Sequence, residues 1–339
     1  MTKRRTSSHT EFWFDEAAAN RAVEFFSKCL THTKGEWAGK PLHLAEWQAE
    51  KIIRPLFGWK RKDGTRKYRT AFIMIPRKAG KSTLAAGIAN ILLFADNEPG
   101  AEVYSAAADR EQAAIVFEMA KGMVDASEPL RKRATCYKRS IVVPSTASSY
   151  KVLSSDAFTK HGFSASGIVI DEVHALPNRD LWDVLTTSTG ARRQPLTVAI
   201  TTAGYDRHSL CFELYDYAVK VRDGIIKDDA FLPVIFEAGR EDDWTSPATW
   251  RKAHPGLGVS VKEEYFAAEC AKAQQLPGYE NTFKRLLLNI WTEQNTRWIP
   301  MEAWDKCNAP LPDLTKQTCY AGLDLATTTD IAALVLAFP

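Results

Sequence analysis

The sequence predicts an α/β fold: a mainly parallel sheet with helices on both faces. Three observations lead there. Residues 71–75 are a continuous apolar run, the pattern of a strand buried on both faces, 167–171 reads as another buried strand ending in Asp171, and 196–201 as a third strand. Helical patterns at 84–94, 110–124, 181–187 and 210–221 alternate with them. The run 71–75 also passes through a tight glycine-bearing loop straight into a helix, an order that open parallel sheets use repeatedly.

Each element has its own signal. Phe14, Ala18, Val23, Phe26 and Leu30 space an amphipathic helix over 14–30. A second helix starts near Leu44, carries Gln48 and is predicted to stop at Pro55, whose ring cannot continue it. Asp63-Gly64 marks a hairpin inside a basic stretch of Lys60, Arg61, Lys62, Arg66, Lys67 and Arg69, and the second arm runs into 71–75. Strands follow at 102–106 and 140–144, the latter pairing with 149–154. Beyond Gly224 come a strand at 231–236, an acidic, tryptophan-rich loop at 240–255, and helices at 262–275 and 279–289. The organisation expected is a core over 1–224 with an N-terminal helical extension, a small, largely helical linker subdomain over 225–305, a proline-rich linker over 306–317, and a strand pair over 318–339. Two strands do not bury a core, so that pair is expected to open a further domain.

Composition excludes several classes. The apolar run 88–95 is too short to cross a bilayer, and no apolar stretch follows the basic residues near the N-terminus, so neither a membrane span nor a secretory signal is expected. The six cysteines form no Cys-x-x-Cys pair, which argues against a disulfide framework or clustered zinc site and for a reducing compartment. Net charge is only +3, from 44 basic and 41 acidic residues, so any polymer partner must be met by local charge.

The chemistry-bearing residues gather at two strand ends. After strand 71–75 come Pro76, Arg77, Lys78, Ala79, Gly80, Lys81, Ser82 and Thr83, then a helix. Backbone N–H groups of such a turn hold phosphate oxygens, Lys81 reaches the β and γ phosphates, and the Ser82 hydroxyl ligates Mg²⁺. The full phosphate-loop pattern G-x-x-x-x-G-K-[ST] asks for glycine at 75, where this chain has Ile75. Strand 167–171 ends in adjacent carboxylates: Asp171 to hold Mg²⁺, Glu172 to orient and deprotonate water, with His174 close enough in sequence to join them. Together these motifs point to hydrolysis of a nucleoside triphosphate with Mg²⁺ in a P-loop NTPase fold. Arg77 can stabilise transferring phosphoryl charge, or be an ordinary surface arginine. Thr201 and Thr202, at the exit of 196–201, can sense phosphate or form a plain strand end, and Gln48 can read adenine or face solvent. The basic stretch 60–69 and Arg131, Lys132 and Arg133 suit DNA phosphates or are simply solvated faces.

Taken in order, these motifs resemble the large terminase subunit of tailed bacteriophages, the motor that packages double-stranded viral DNA. In that resemblance Leu44-Ala45-Glu46-Trp47-Gln48 is the adenine-side motif, Pro76 to Ser82 a divergent phosphate loop with an arginine at Arg77, Ile168 to Glu172 the magnesium and base strand, and Thr201-Thr202-Ala203-Gly204 the coupling motif. It implies an ASCE, RecA-like ATPase and then a ribonuclease-H-like nuclease, whose first metal-binding strand is similar to Gly322-Leu323-Asp324-Leu325-Ala326, with Asp324 its first acid. It also implies a second divalent site, Mg²⁺ or Mn²⁺, only in a complete nuclease; later acids are not found before Pro339, so no cleavage is expected from this chain. The partners implied are viral DNA, portal protein, the small terminase subunit and further copies in a ring. The implied location is the host cytoplasm, docked transiently on the procapsid and absent from the mature virion. Two alternatives remain at this point: a superfamily 2 helicase or other DNA translocase, suggested by Asp171-Glu172-Val173-His174, and a non-catalytic DNA- or portal-binding component.

Overall fold

The computed structural model describes residues 11–108, 110–153, 162–292, 305–308, 310, 312–325 and 333–339. They fall in two units, 1–296 and 297–339. In the first, β1 (Phe12–Phe14) leads to α1 (Glu16–Cys29), whose N-cap Asp15 accepts the Ala18 N–H at 2.9 Å and whose buried residues are Ala19, Ala22 and Phe26. The capped start and one apolar stripe make this helix.

The second helix does not end at Pro55. It runs as α2 (Glu46–Gln48), a π-helical stretch (Ala49–Ile53) and α3 (Arg54–Gly58). Because the Arg54 N–H bonds back to Ala49 O, Pro55 falls in the first turn of a new α segment, where its missing N–H costs no bond. The turn at Asp63-Gly64 forms, with Gly64 at φ +78°, yet β2 (Trp59–Arg61) pairs antiparallel with β1 and meets the arm beyond the turn only at the Lys60–Arg66 bridge.

The elements that follow are β3 (Thr70–Met74), α4 (Lys81–Phe94), β4 (Glu102–Ala106), α5 (Arg110–Ala126), α6 (Glu128–Arg131), β5 (Thr135–Cys136), β6 (Ser140–Val143), β7 (Ser148–Val152), β8 (Gly167–Asp171), α7 (Asp180–Thr187), β9 (Leu196–Thr201), α8 (Leu210–Arg222) and β10 (Phe231–Ile235). One eight-stranded sheet has the order β10-β3-β9-β8-β4-β7-β6-β5, parallel from β10 to β7 and antiparallel at β6 and β5. The strand expected beyond the boundary at 224 is therefore the edge of the core sheet itself, since β10 pairs with β3 from Phe231↔Thr70 to Ile235↔Met74.

Strand alternation divides the core between two faces. Ile73, Val169, Val198 and Ile200 pack toward α1, α3, α4 and α5, while Phe72, Met74, Ile168, Ile170 and Ala199 pack toward α7 and α8. Helix α4 is buried on nearly every side, as its almost uniformly apolar sequence requires. Gly87 lets α1 approach it: a Cβ there would lie 2.1 Å from Phe26 Cε1.

Residues 236–292 add α9 (Pro247–Ala253), α10 (Glu263–Gln275) and α11 (Pro277–Leu288) around their own core of Trp250, Phe266, Phe283 and Leu287. Helix α9 lies in the stretch expected to be loop. Ser246 caps it, accepting the Ala248 N–H at 3.3 Å, and Pro247 opens it, a start signal masked by the acidic surroundings. The second unit contains the hairpin of β11 (Tyr320–Asp324) and β12 (Ala333–Ala337), antiparallel from Tyr320↔Ala337 to Asp324↔Ala333, with both faces exposed. Asp330, an acid near Asp324 in sequence to which the motifs assign no role, lies outside the described residues.

Candidate active site

β3 and β8 both end at the carboxyl edge of the sheet, where open α/β sheets bind ligands, and β9 separates them. Register levels their ends. Met74 faces Thr201 and Asp171 faces Ile200, so Glu172 stands beside the Thr201 end of β9.

From β3 the chain makes the expected loop. Lys78 at φ +69° and Gly80 at φ +83° are left-handed, a conformation free to glycine and costing roughly 1–2 kcal/mol at a residue with a side chain. Gly80 then caps α4 with no side-chain partner, placing Lys81, Ser82 and Thr83 in its first turn. Among the described residues, the N–H groups of Lys78, Gly80, Lys81 and Ser82 find no acceptor in the chain. Unpaired amides at a helix N-terminus make an anion cradle.

Lys81 is 6% exposed, and its Nζ reaches only the carbonyls of Ile75 at 3.4 Å and Pro76 at 3.3 Å. Burial lowers its pKa, Glu172 and Asp171 pull it up, and Arg77 adds to the lowering. An ammonium held by two long carbonyl contacts is suited to phosphate oxygens. Ser82 Oγ donates to Asp171 Oδ2 at 3.1 Å, although 89 positions separate the two residues. The phosphate loop and acid strand thus meet through the side chains that a Mg²⁺–triphosphate needs together, a hydroxyl and a carboxylate. The donor set fits that ligand.

Burial, and then the charge of Glu172, push the Asp171 carboxyl up to about 6 despite Lys81, the Glu172 N–H and Ser82. Glu172 moves the other way. Burial acts upward on it and is the largest single influence, but His174, Lys81 and Arg77 together hold it below its ordinary value. The two adjacent carboxylates are thus driven apart, with Glu172 the more readily ionised of the two. His174 Nδ1 lies 3.2 Å from Glu172 Oε2, which is otherwise buried without a hydrogen-bond partner. The same nitrogen lies 3.1 Å from Thr201 Oγ1 and 3.4 Å from Thr202 Oγ1, and both threonines are buried. Glu172 is therefore linked to the exit of β9 through one imidazole.

Arg77 is exposed and lines a cavity of about 230 Å³ with Gln112, Glu172, His174, Thr202 and Leu286. Gln48 also arrives at the loop: its Oε1 accepts the Ala45 N–H at 3.0 Å, and its Nε2 would stand 3.5 Å from a Cβ placed on Gly80. Sequence reasoning missed Gln112, Leu286, His254 and Asn289. His254 Nε2 bonds Arg77 O at 3.0 Å, and Asn289 Oδ1 accepts the Ala203 N–H at 3.1 Å. Only Asn289 had a local signal, a residue tolerant of the left-handed conformation at the end of a helical pattern.

The basic stretch divides. Arg66, proposed for DNA, is 1% exposed and forms a bidentate pair with Asp96 at 2.9 and 2.7 Å, so it is a core residue with no reach to a phosphate backbone. Lys67 Nζ sits over the rings of Phe12, Trp59 and Tyr68, Lys60 and Arg69 are partly buried, and Arg61 bonds Lys67 O at 3.3 Å. Lys62, Arg131, Lys132 and Arg133 are exposed, although Lys132 pairs with Glu128 and Arg133 lies over Phe94. Asp324 is exposed on β11, and among the described residues no three His, Cys, Asp or Glu side chains gather as metal ligands.

The model of the terminase large subunit ATPase domain matches residues 46–220. The chain belongs to the terminase large-subunit family. The model of the family's endonuclease domain matches 225–339, beginning well before the hairpin in which the sequence suggested it. The terminase large subunit of Enterobacteria phage HK97 is 31% identical over 323 residues, covering 94% of this chain and 62% of that protein. Protein YmfN of Escherichia coli K12 is 32% identical over 176 residues, 51% of this chain and 39% of that protein. The crystal structure of the HK97 large terminase superposes with a TM-score of 0.70 at 29% identity, over 94% of this chain and 64% of that one. This terminase chain thus spans less than two thirds of the HK97 protein's length. Its sheet is the P-loop, ASCE-type arrangement anticipated from the sequence, and family membership sets the superfamily 2 helicase reading aside. No helix among the described residues is long and apolar enough to cross a membrane.

Proposed function

We propose that this chain hydrolyses ATP at the Lys81–Asp171–Glu172 site and that hydrolysis drives double-stranded viral DNA into a procapsid. The observation that carries the proposal is the 3.1 Å contact between Ser82 and Asp171, which brings loop and acid strand into one site. Lys81 and the amides of Lys78 and Gly80 to Ser82 bind the phosphate chain, and Ser82 and Asp171 hold Mg²⁺. When bound, Mg²⁺ neutralises oxygen charge on the β and γ phosphates. Glu172, kept ionised, orients a water and takes its proton as the new P–O bond forms and the bond to the β phosphate breaks. Arg77, in the same cavity, offsets charge on the transferring group, alone or with an arginine from a neighbouring copy. Gln48 reads adenine. His174 carries the change at Glu172 to Thr201 and Thr202.

The same proposal places residues 1–224 as the motor core, with β10 completing its sheet, and 236–292 as a helical subdomain leading toward an endonuclease domain with Asp324 as its first acid. Portal protein, the small terminase subunit and further copies in a ring are the partners, on procapsids in the host cytoplasm and not in mature virions. Steady-state ATP hydrolysis, with and without duplex DNA, tests the reading. Lys81→Ala should lower turnover by at least about 100-fold, the scale of losing one preorganised charge donor. Turnover by Lys81→Ala at the wild-type rate would end the nucleotide assignment.

A further inference from the structure

We infer that His254, from the helical subdomain, is a positioning residue of the nucleotide site: its Nε2–H holds the Arg77 carbonyl and so sets both the Arg77 side chain and the Lys78 amide. The inference rests on the hydrolytic site proposed above.

Both polar groups of the Arg77 backbone leave the loop for the same subdomain. Its N–H donates to Leu286 O at 2.8 Å, and its carbonyl meets His254 Nε2 at 3.0 Å. His254 stands 177 positions away in sequence, at the C-cap of α9, and Leu286 lies in α11. A carbonyl only accepts, so the bond requires the tautomer with its proton on Nε2. The rest of the imidazole suits a fixed, neutral ring. His254 is 1% exposed, it meets Phe266 edge-on with centroids 5.6 Å apart, and its Nδ1 is buried without a hydrogen-bond partner. Burial moves its pKa downward, in the same sense, against bonds that act upward.

The consequence follows from peptide geometry. In a trans peptide the C=O of Arg77 and the N–H of Lys78 point in opposite directions. Anchoring the carbonyl on His254 turns the Lys78 N–H away from the subdomain, as one of the cradle's unpaired donors. Lys78 is also the loop's left-handed residue with a side chain, at φ +69°, a conformation that persists only where its surroundings hold it. Released, this peptide relaxes toward an ordinary conformation, the Lys78 amide leaves the cradle and Arg77 leaves the cavity it shares with Glu172.

The test compares His254→Gln, whose Nε2 occupies nearly the place of the imidazole Nε2, with His254→Asn, which is too short to reach, and His254→Leu. For each, ATP turnover with Mg²⁺ per folded molecule, KM and kcat, and thermal melting are measured beside Lys81→Ala. The Asn and Leu variants should lose about 100-fold in kcat, the scale of a misplaced catalytic group, while Gln stays within about threefold of wild type. Melting should not order the variants as turnover does. If Asn and Leu melt earlier but turn over like wild type, His254 is merely structural and the inference falls. If Gln fails along with Leu while remaining folded, the Nε2–H is not the operative group and the inference falls as well. Full turnover by Lys81→Ala would instead overturn the underlying nucleotide site.

Discussion

Removing the carboxylate of Asp96 should destabilise the protein far more than removing the Arg66–Asp96 pair. Arg66 is 1% exposed, its Nη1 and Nη2 reach Asp96 at 2.9 and 2.7 Å, Nη2 also reaches Gln194 O at 2.8 Å, and its Nε is buried without a partner. Asp96→Ala therefore leaves a buried guanidinium with one carbonyl. Stranding a buried charge costs about 3–5 kcal/mol, and at about 2–4 °C per kcal/mol for a large domain the melting temperature should fall by about 6–20 °C. Arg66→Leu with Asp96→Leu removes both charges and should recover most of that loss, because an apolar pair has no desolvation to offset. Scanning calorimetry on the single and double variants makes the comparison. Duplex DNA binding across a salt series adds a functional check, with affinity and slope unchanged in the double variant. A loss of about one in the salt slope would mean that Arg66 neutralises a DNA phosphate and that its burial has been misread. Equal melting of Asp96→Ala and wild type would refute the energetic reasoning.

Two further outcomes are expected. Glu172→Gln should keep ATP binding but lower single-turnover hydrolysis by about 10²–10⁴-fold, since the amide retains the shape without accepting a proton; unchanged single-turnover rates would remove Glu172 as the base. Asp171, raised to about 6, binds its proton more tightly folded than unfolded, so its contribution to stability is full below about pH 4 and is lost as pH rises through about 6. Thermal melting from pH 4 to 8, without added nucleotide or divalent cation, should therefore show Asp171→Asn gaining on wild type across that window, by on the order of 2–3 kcal/mol; parallel curves would contradict the assignment.

Features that neighbouring residues settle together could be read without the fold. The buried strands at 71–75, 167–171 and 196–201 were legible because apolar continuity is a local property. So was the phosphate turn, since only a left-handed residue such as Gly80 admits the entry into α4. Gly-Lys-Ser and Asp-Glu supplied the residue types on which the proposed chemistry rests. The Pro55 stop was wrong because a π-helical register upstream, which composition does not announce, moved the proline into a first turn. Tertiary structure decided the rest. Arg66 reads as one of six basic residues in ten, and only the fold shows it locked to Asp96, thirty positions away. His254 carries no local signal, because the group it serves is a backbone carbonyl that every residue possesses. The Ser82–Asp171 contact lies between these cases: both residue types were legible, but their meeting depends on strand order and register, which long-range pairing sets.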